Sequence, residues 1–164
     1  MAKINIAYNK TLRLDNVLVK DIINLSTILE PGESDEIPVE VELERMENEI
    51  KTKGANQIGP LIQYSFASGN ENSINMRISL MLQADKYINN VSYPYYMESV
   101  ISVNNCMYTR FCGTEEDIQY AYQKIAVTAY EENIKLKGSS YTVFLDSDDS
   151  GNITADIFME RADA

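Results

Sequence analysis

The chain has 164 residues, 45% of them hydrophobic and 24% charged, which suffices for one domain with an apolar core and is not the composition of a disordered protein. Its net charge of −11 repels a nucleic-acid backbone or an anionic membrane, and no Lys/Arg cluster overrides that field. No histidine is present, so the commonest general base, metal ligand and physiological pH switch are all missing.

Residues 1–15 place apolar side chains at Ile4, Ile6, Tyr8, Leu12 and Leu14, the pattern of an edge strand or extended arm. They contain no apolar core of signal-peptide length, and no later stretch approaches the roughly 20 apolar residues of a membrane span, so a cytoplasmic protein is expected. Residues 16–25 carry Val17, Leu18, Val19, Ile22 and Ile23, which suits a strand, with a bulge where Ile22-Ile23 breaks the alternation. Residues 30–36 are expected as a loop from their composition. A helix is predicted over 38–53, with Ser34 or Asp35 as its cap. Val39, Leu43, Met46 and Ile50 share one face, Glu40, Glu42, Glu44, Arg45, Glu47 and Glu49 surround the rest, and Lys51, Lys53 and Gly54 end it. Strands over 60–66 and 74–82 follow, joined by the Gly-, Ser- and Asn-rich loop 67–73.

After a connector containing Tyr93-Pro94-Tyr95-Tyr96-Met97, the same order returns. A strand over 106–111 meets a turn at Cys112-Gly113-Thr114, and Thr114 with Asp117 forms the pattern of a capping box. Ile118, Ala121, Tyr122, Ile125, Ala129 and Tyr130 then mark one helical stripe ending near Asn133, with Gly138 suited to a left-handed cap after Lys135 and Lys137. Strands over 140–145 and 153–160 close the unit around a polar turn. Cys106 and Cys112, up to about 20 Å apart along one extended run, are beyond disulfide reach and are expected as buried, reduced thiols. The repeated order, and the matching pentads Ile50-Lys51-Thr52-Lys53-Gly54 and Ile134-Lys135-Leu136-Lys137-Gly138, predict a duplication. The expected fold is α+β: two strand-helix-strand-strand modules forming one curved antiparallel sheet with both helices on one face. Residues 1–164 make one domain: an arm (1–15), a first module (16–86), a connector (87–99) and a second module (100–164).

With the run Gly59-Pro60-Leu61-Ile62-Gln63-Tyr64 in its first module and Arg110-Phe111-Cys112-Gly113 before its second helix, the chain resembles the GyrI-like effector-binding domain over residues 16–160. More narrowly, it resembles small Gram-positive bacterial proteins that carry this domain alone. The resemblance implies modules paired about a pseudo-twofold axis and a groove between them for small molecules, often hydrophobic and cationic. Where that family carries an aromatic residue, Glu, any residue and Tyr, this chain reads Tyr141-Thr142-Val143-Phe144, so the acid that would meet a ligand's charge is replaced by Thr142. Cation binding and the hydrolysis seen in some relatives are accordingly expected to weaken. The short segment 1–15 is also expected to leave no room for a helix-turn-helix unit.

Within such a groove, Tyr64, Met76, Tyr93, Tyr96, Tyr108, Phe111, Thr142 and Phe144 are the candidate ligand contacts, supplying apolar walls and polar tips. Core packing is the competing role of each. Glu98, Arg110, Asp156 and Glu160 read as solvated strand-edge residues. The turn from Asp146 to Ile153 matches an EF-hand loop at several positions, but Ile157 stands where its bidentate Glu belongs and the flanks read as strands. It is expected as an acidic turn, with no metal. No phosphate loop, zinc spacing or nucleophile motif occurs, so no catalytic residue and no cofactor are assigned. The leading reading is a stand-alone module that binds a small hydrophobic or weakly polar molecule. The alternative is a protein-interaction module, such as an inhibitor or toxin-neutralising partner, and an enzyme comes third.

Overall fold

The computed structural model describes residues 4–27, 38–69 and 74–162. Its elements are β1 (Ile6–Thr27), α1 (Val39–Thr52), β2 (Gln57–Gly69), β3 (Ile74–Ala84), β4 (Tyr96–Thr114), a 3₁₀ turn (Glu115–Asp117), α2 (Ile118–Glu131), β5 (Leu136–Ser147) and β6 (Asn152–Arg161). This is strand-helix-strand-strand twice over. All six strands pair antiparallel in the order β1-β3-β2-β5-β6-β4, and β4 pairs back onto β1, so the curved sheet closes into a barrel. Exchanging the first three strands for the last three leaves that circular order unchanged, as a twofold relation between the halves requires.

Residues 6–27 form one continuous strand where an arm and a separate strand were expected. Asn16 absorbs the bend at φ 54°, a left-handed conformation that Asn tolerates better than most residues. The register of β1 against β3 shifts between Asp21 and Ile23, which is the bulge expected at Ile22-Ile23. β4 likewise bends at Asn105, with φ 55°. An extra residue inverts the alternation of faces, so Val103 and Cys106 both point inward.

Three apolar layers result. The inner face of the barrel holds Leu12, Leu14, Val17, Val19, Ile62, Met81, Val103, Cys106 and Phe158. On the outer face, α1 lays Met46 and Ile50 on Leu18, Leu80 and Leu82, while α2 lays Ala121, Ile125 and Ala129 on Met107, Phe111 and Ile157. Both helices therefore cover one face of the sheet and leave the other to enclose the interior. No helix among the described residues is long and apolar enough to cross a membrane.

The helix ends differ from their sequence patterns. Thr114 makes no capping hydrogen bond, because the chain enters α2 through a 3₁₀ turn and not through a capping box. The cap positions expected at Ser34 and Asp35 lie outside the described residues, and α1 begins directly after Pro38. At the other ends, Gly54 bonds back to Lys51 and Ala55 to Ile50, while Asn133 bonds to Tyr130 and Ile134 to Ala129. Each is a Schellman motif with its left-handed residue, φ 82° at Gly54 and φ 58° at Asn133. Gly54 thus corresponds to Asn133 and not to Gly138, which lies within β5. The two matching pentads occupy different structural positions.

Candidate functional site

Strand alternation decides which side chains face the interior. On β2 and β5 the inward positions include Tyr64 and Tyr141, directly opposed across the seam and stacked edge to face at 4.8 Å between ring centres. On β4 and β6 they include Tyr108 and Phe158, also opposed, at 4.9 Å. Tyr96, at the start of β4 and opposite Val19, joins the same cluster. The result is a wall of four half-buried tyrosines and one phenylalanine over an aliphatic floor.

Three carboxylates stand in this wall, each with its own cation. Asp21 receives hydrogen bonds from Arg77 (3.1 Å), the Ser79 hydroxyl (2.6 Å) and the Tyr96 hydroxyl (3.1 Å). Asp156 accepts two hydrogen bonds from one edge of the Arg110 guanidinium, Nε at 2.8 Å and Nη2 at 3.1 Å, and one from the Tyr108 hydroxyl (2.7 Å). Glu160, opposite Cys106, accepts from Lys137 at 2.9 Å. Burial works to raise the Asp156 pKa, but the Arg110 and Tyr108 bonds and the Arg110 charge outweigh it and hold the carboxyl below its usual range. Two cations also lie over rings: Arg77 is 5.5 Å from the Tyr64 centroid and 5.9 Å from that of Tyr96, and Lys10 is 5.6 Å from that of Tyr108.

The tyrosines are proton donors under neutral conditions. Burial, with help from Tyr64 and Glu160, pushes Tyr141 up to about 12, and burial raises Tyr64 as well. Cys106 is pushed up to about 11 by burial and by Glu160, which makes it an inert thiol. Cys112, expected to be buried, is exposed at the end of β4.

Tyr64, Tyr96 and Tyr108 are the residues that the structure brings together from those chosen by sequence. Thr142 and Phe111 belong to the outer face: Phe111 packs in the α2 layer, and the Thr142 hydroxyl is hydrogen-bonded to Tyr122 of α2. Phe144 is on that side by alternation. Met76 falls on the outward side of β3 with Leu80 and Leu82, and Tyr93 projects into solvent at 96% exposure. The reading of Thr142 as the groove residue is one position out of phase, since Tyr141 and Val143 point inward. Sequence reasoning passed over Tyr141, Asp21 and Arg77, and it placed Asp156 and Glu160 at solvated edges although both are largely withdrawn from solvent.

The acidic turn after β5 uses its own carboxylates. Asp148 accepts from the Ser150 and Asn152 amides, both at 2.9 Å, and from the Asn152 side chain at 3.2 Å, while Asp146 accepts from the Ser147 amide at 2.8 Å. The Asn152 and Ser150 bonds depress the Asp148 pKa. Because a cation would have to break these bonds to gain ligands, millimolar calcium is expected to shift the melting temperature by no more than about 1 °C. A rise of several degrees that disappears in Asp146→Asn would show a real site there.

No protein-family model and no curated protein matches the sequence. Solved structures do match in fold. The EcmrR C-terminal domain superposes with a TM-score of 0.62 at 13% identity, over 96% of this chain and 97% of that one. The EcmrR–DNA complex in EcmrR-RPo gives 0.64 at 15% identity, and there the match spans 57% of the longer chain. The structure of SAV2435 bound to tetraphenylphosphonium reaches 0.44 at 12% identity, below the level at which a shared fold follows.

Proposed function

We propose that the chain is a GyrI-like small-molecule-binding module, cytoplasmic and non-catalytic, whose site is the inner face of the barrel. The observation that carries this reading is the half-buried wall of Tyr64, Tyr96, Tyr108 and Tyr141 above an aliphatic floor. Among the described residues, the Tyr64 and Tyr141 hydroxyls make no hydrogen bond to protein, which leaves two donors to orient a bound molecule. The likeness to the EcmrR C-terminal domain agrees with an independent module of this size.

The preferred ligand is neutral or weakly polar. Thr142 cannot be the reason, because it faces α2; the reason is that Asp21, Asp156 and Glu160 are each already paired. An incoming cation would have to compete with a tethered Arg or Lys for every carboxylate. Nucleic acid is no partner of this reading, given the charge of −11. The test is an NMR titration with a neutral aromatic, 4-tert-butylphenol, against the protein and its Tyr64→Ala and Tyr141→Ala variants. Each truncation should weaken binding by about ten-fold, the loss of an aromatic contact and a hydrogen bond. Binding that survives both unchanged would place the site elsewhere and end this reading.

A protein-interaction module is the second reading. Its support is the solvent side of α2, where Tyr120, Val127 and Tyr130 are 56%, 51% and 86% exposed along one helical stripe.

A further inference from the structure

The slot between Tyr64 and Tyr96 is already filled by a cation, and it comes from the protein. The Arg77 guanidinium lies over both rings, donates through Nε to Asp21 and through Nη2 to the Tyr96 hydroxyl, and Asp21 also takes the Ser79 and Tyr96 hydroxyl protons. With 37% of the Arg77 side chain and 28% of Asp21 exposed, the pair is reachable from solvent and is not sealed in the core. At that exposure an ion pair adds little to folding, so stability is a poor reason for placing a charged side chain between two tyrosines. The charges facing this slot are Asp21 and Arg77, with Glu160 close enough to act on Tyr64 and held by Lys137.

We infer that Arg77 is the specificity-determining residue of the inner face: its guanidinium occupies the aromatic slot and neutralises Asp21, so the face takes uncharged aromatic molecules and turns cations away. The inference rests on the reading of the inner face as a ligand site. A free cation entering the slot would meet a like charge and would gain neither ring face nor carboxylate. Removing the guanidinium reverses all three conditions. Asp21 then keeps its Ser79 and Tyr96 hydroxyl donors but has lost its countercharge beside two tyrosine faces, which is the arrangement that attracts an organic cation.

The experiment compares two probes of the same shape, neutral 4-tert-butylphenol and cationic (4-hydroxyphenyl)trimethylammonium, by NMR titration of the full chain. The proteins are the wild type, Arg77→Gln, and Arg77→Gln with Asp21→Asn. The wild type should prefer the neutral probe by about ten-fold; Arg77→Gln should abolish that preference by gaining about ten-fold for the cation relative to the neutral probe; the double variant should lose the gain. Melting curves confirm that each variant is folded, and Arg77→Met, which keeps an apolar stem over the rings, replaces Arg77→Gln if that variant is unstable. If the neutral probe binds the wild type but Arg77→Gln gains nothing for the cation, the role given to Arg77 is wrong and the binding module stands. If the wild type binds neither probe while Arg77→Gln binds the cation, the role of Arg77 stands and the neutral-ligand reading falls. If no protein binds either probe, both fall.

Discussion

Ile62→Ala is expected to destabilise the protein by about 3 kcal/mol and to lower its melting temperature by about 10 °C, the range for a large-to-small change at a fully buried position in a domain of this size. Ile62 has no exposed surface and lies on β2 between Met81 of β3 and Val143 of β5. It therefore joins the first half of the barrel to the second, and the cavity left by alanine would open on the seam where relaxation is hardest. A neighbouring residue gives the control. Ile58, on the same strand, is 47% exposed, and Ile58→Ala should cost no more than about 0.5 kcal/mol. Chemical denaturation of both variants measures the difference, and equal midpoints would mean that the interior of the barrel is not the core that holds the halves together. The loss should also reach the site, because Tyr64 sits two residues along the same strand.

Local pattern was enough for the helices and most strands. Met46 and Ile50 on α1, and Ala121, Ile125 and Ala129 on α2, are buried where their spacing put them. Closure of the sheet is a different matter, since the β1/β4 seam joins residues far apart in the chain and no periodicity within either strand reports it. Phase was the second obstacle. A strand shifted by one residue turns every side chain to the other face, and the run Tyr141-Thr142-Val143-Phe144 offers aromatic residues on both. What fixes the phase is α2, whose Tyr122 bonds Thr142 from outside. The extra residue in β4 around Asn105 adds a further inversion that a strict alternation cannot follow. Asp21 does fall on the inward phase set by Val17 and Val19, and this signal was available in the sequence. Its partner was not, because Arg77 meets Asp21 only through the register of β1 on β3, where Asp21 opposes Ser79. The pentad ending at Gly138 misled for a related reason: a basic run before a glycine suits a helix end, and it also suits an exposed strand start with a tight backbone approach.

That approach makes Gly138 the position where the smallest substitution should do the most damage. Gly138 has φ 94°, and a Cβ built there would lie 2.7 Å from the carbonyl oxygen of Ala67. Ala67 cannot move aside cheaply, because the contact is with its backbone carbonyl, near the end of β2, where the residue is paired with Met76 of β3. Gly138→Ala therefore carries two costs, about 1–2 kcal/mol for a side chain in a left-handed conformation and a steric overlap in addition. Gly151 separates them. It has φ 84° but nothing within 4 Å of the added Cβ, so Gly151→Ala carries the conformational cost alone. The β2/β5 seam pairs only Ile62–Phe66 with Ser139–Val143, so strain at Gly138 falls at the end of this short seam, beside the Phe66–Ser139 pair and two pairs before Tyr64–Tyr141. Gly138→Ala should consequently melt well below Gly151→Ala and should weaken binding of 4-tert-butylphenol, whereas Gly151→Ala should leave binding unchanged. Thermal melts and the same NMR titration read both effects; matching melting temperatures for the two variants would show that β2 and β5 yield freely at this seam, and that the tyrosine pair is not held by it.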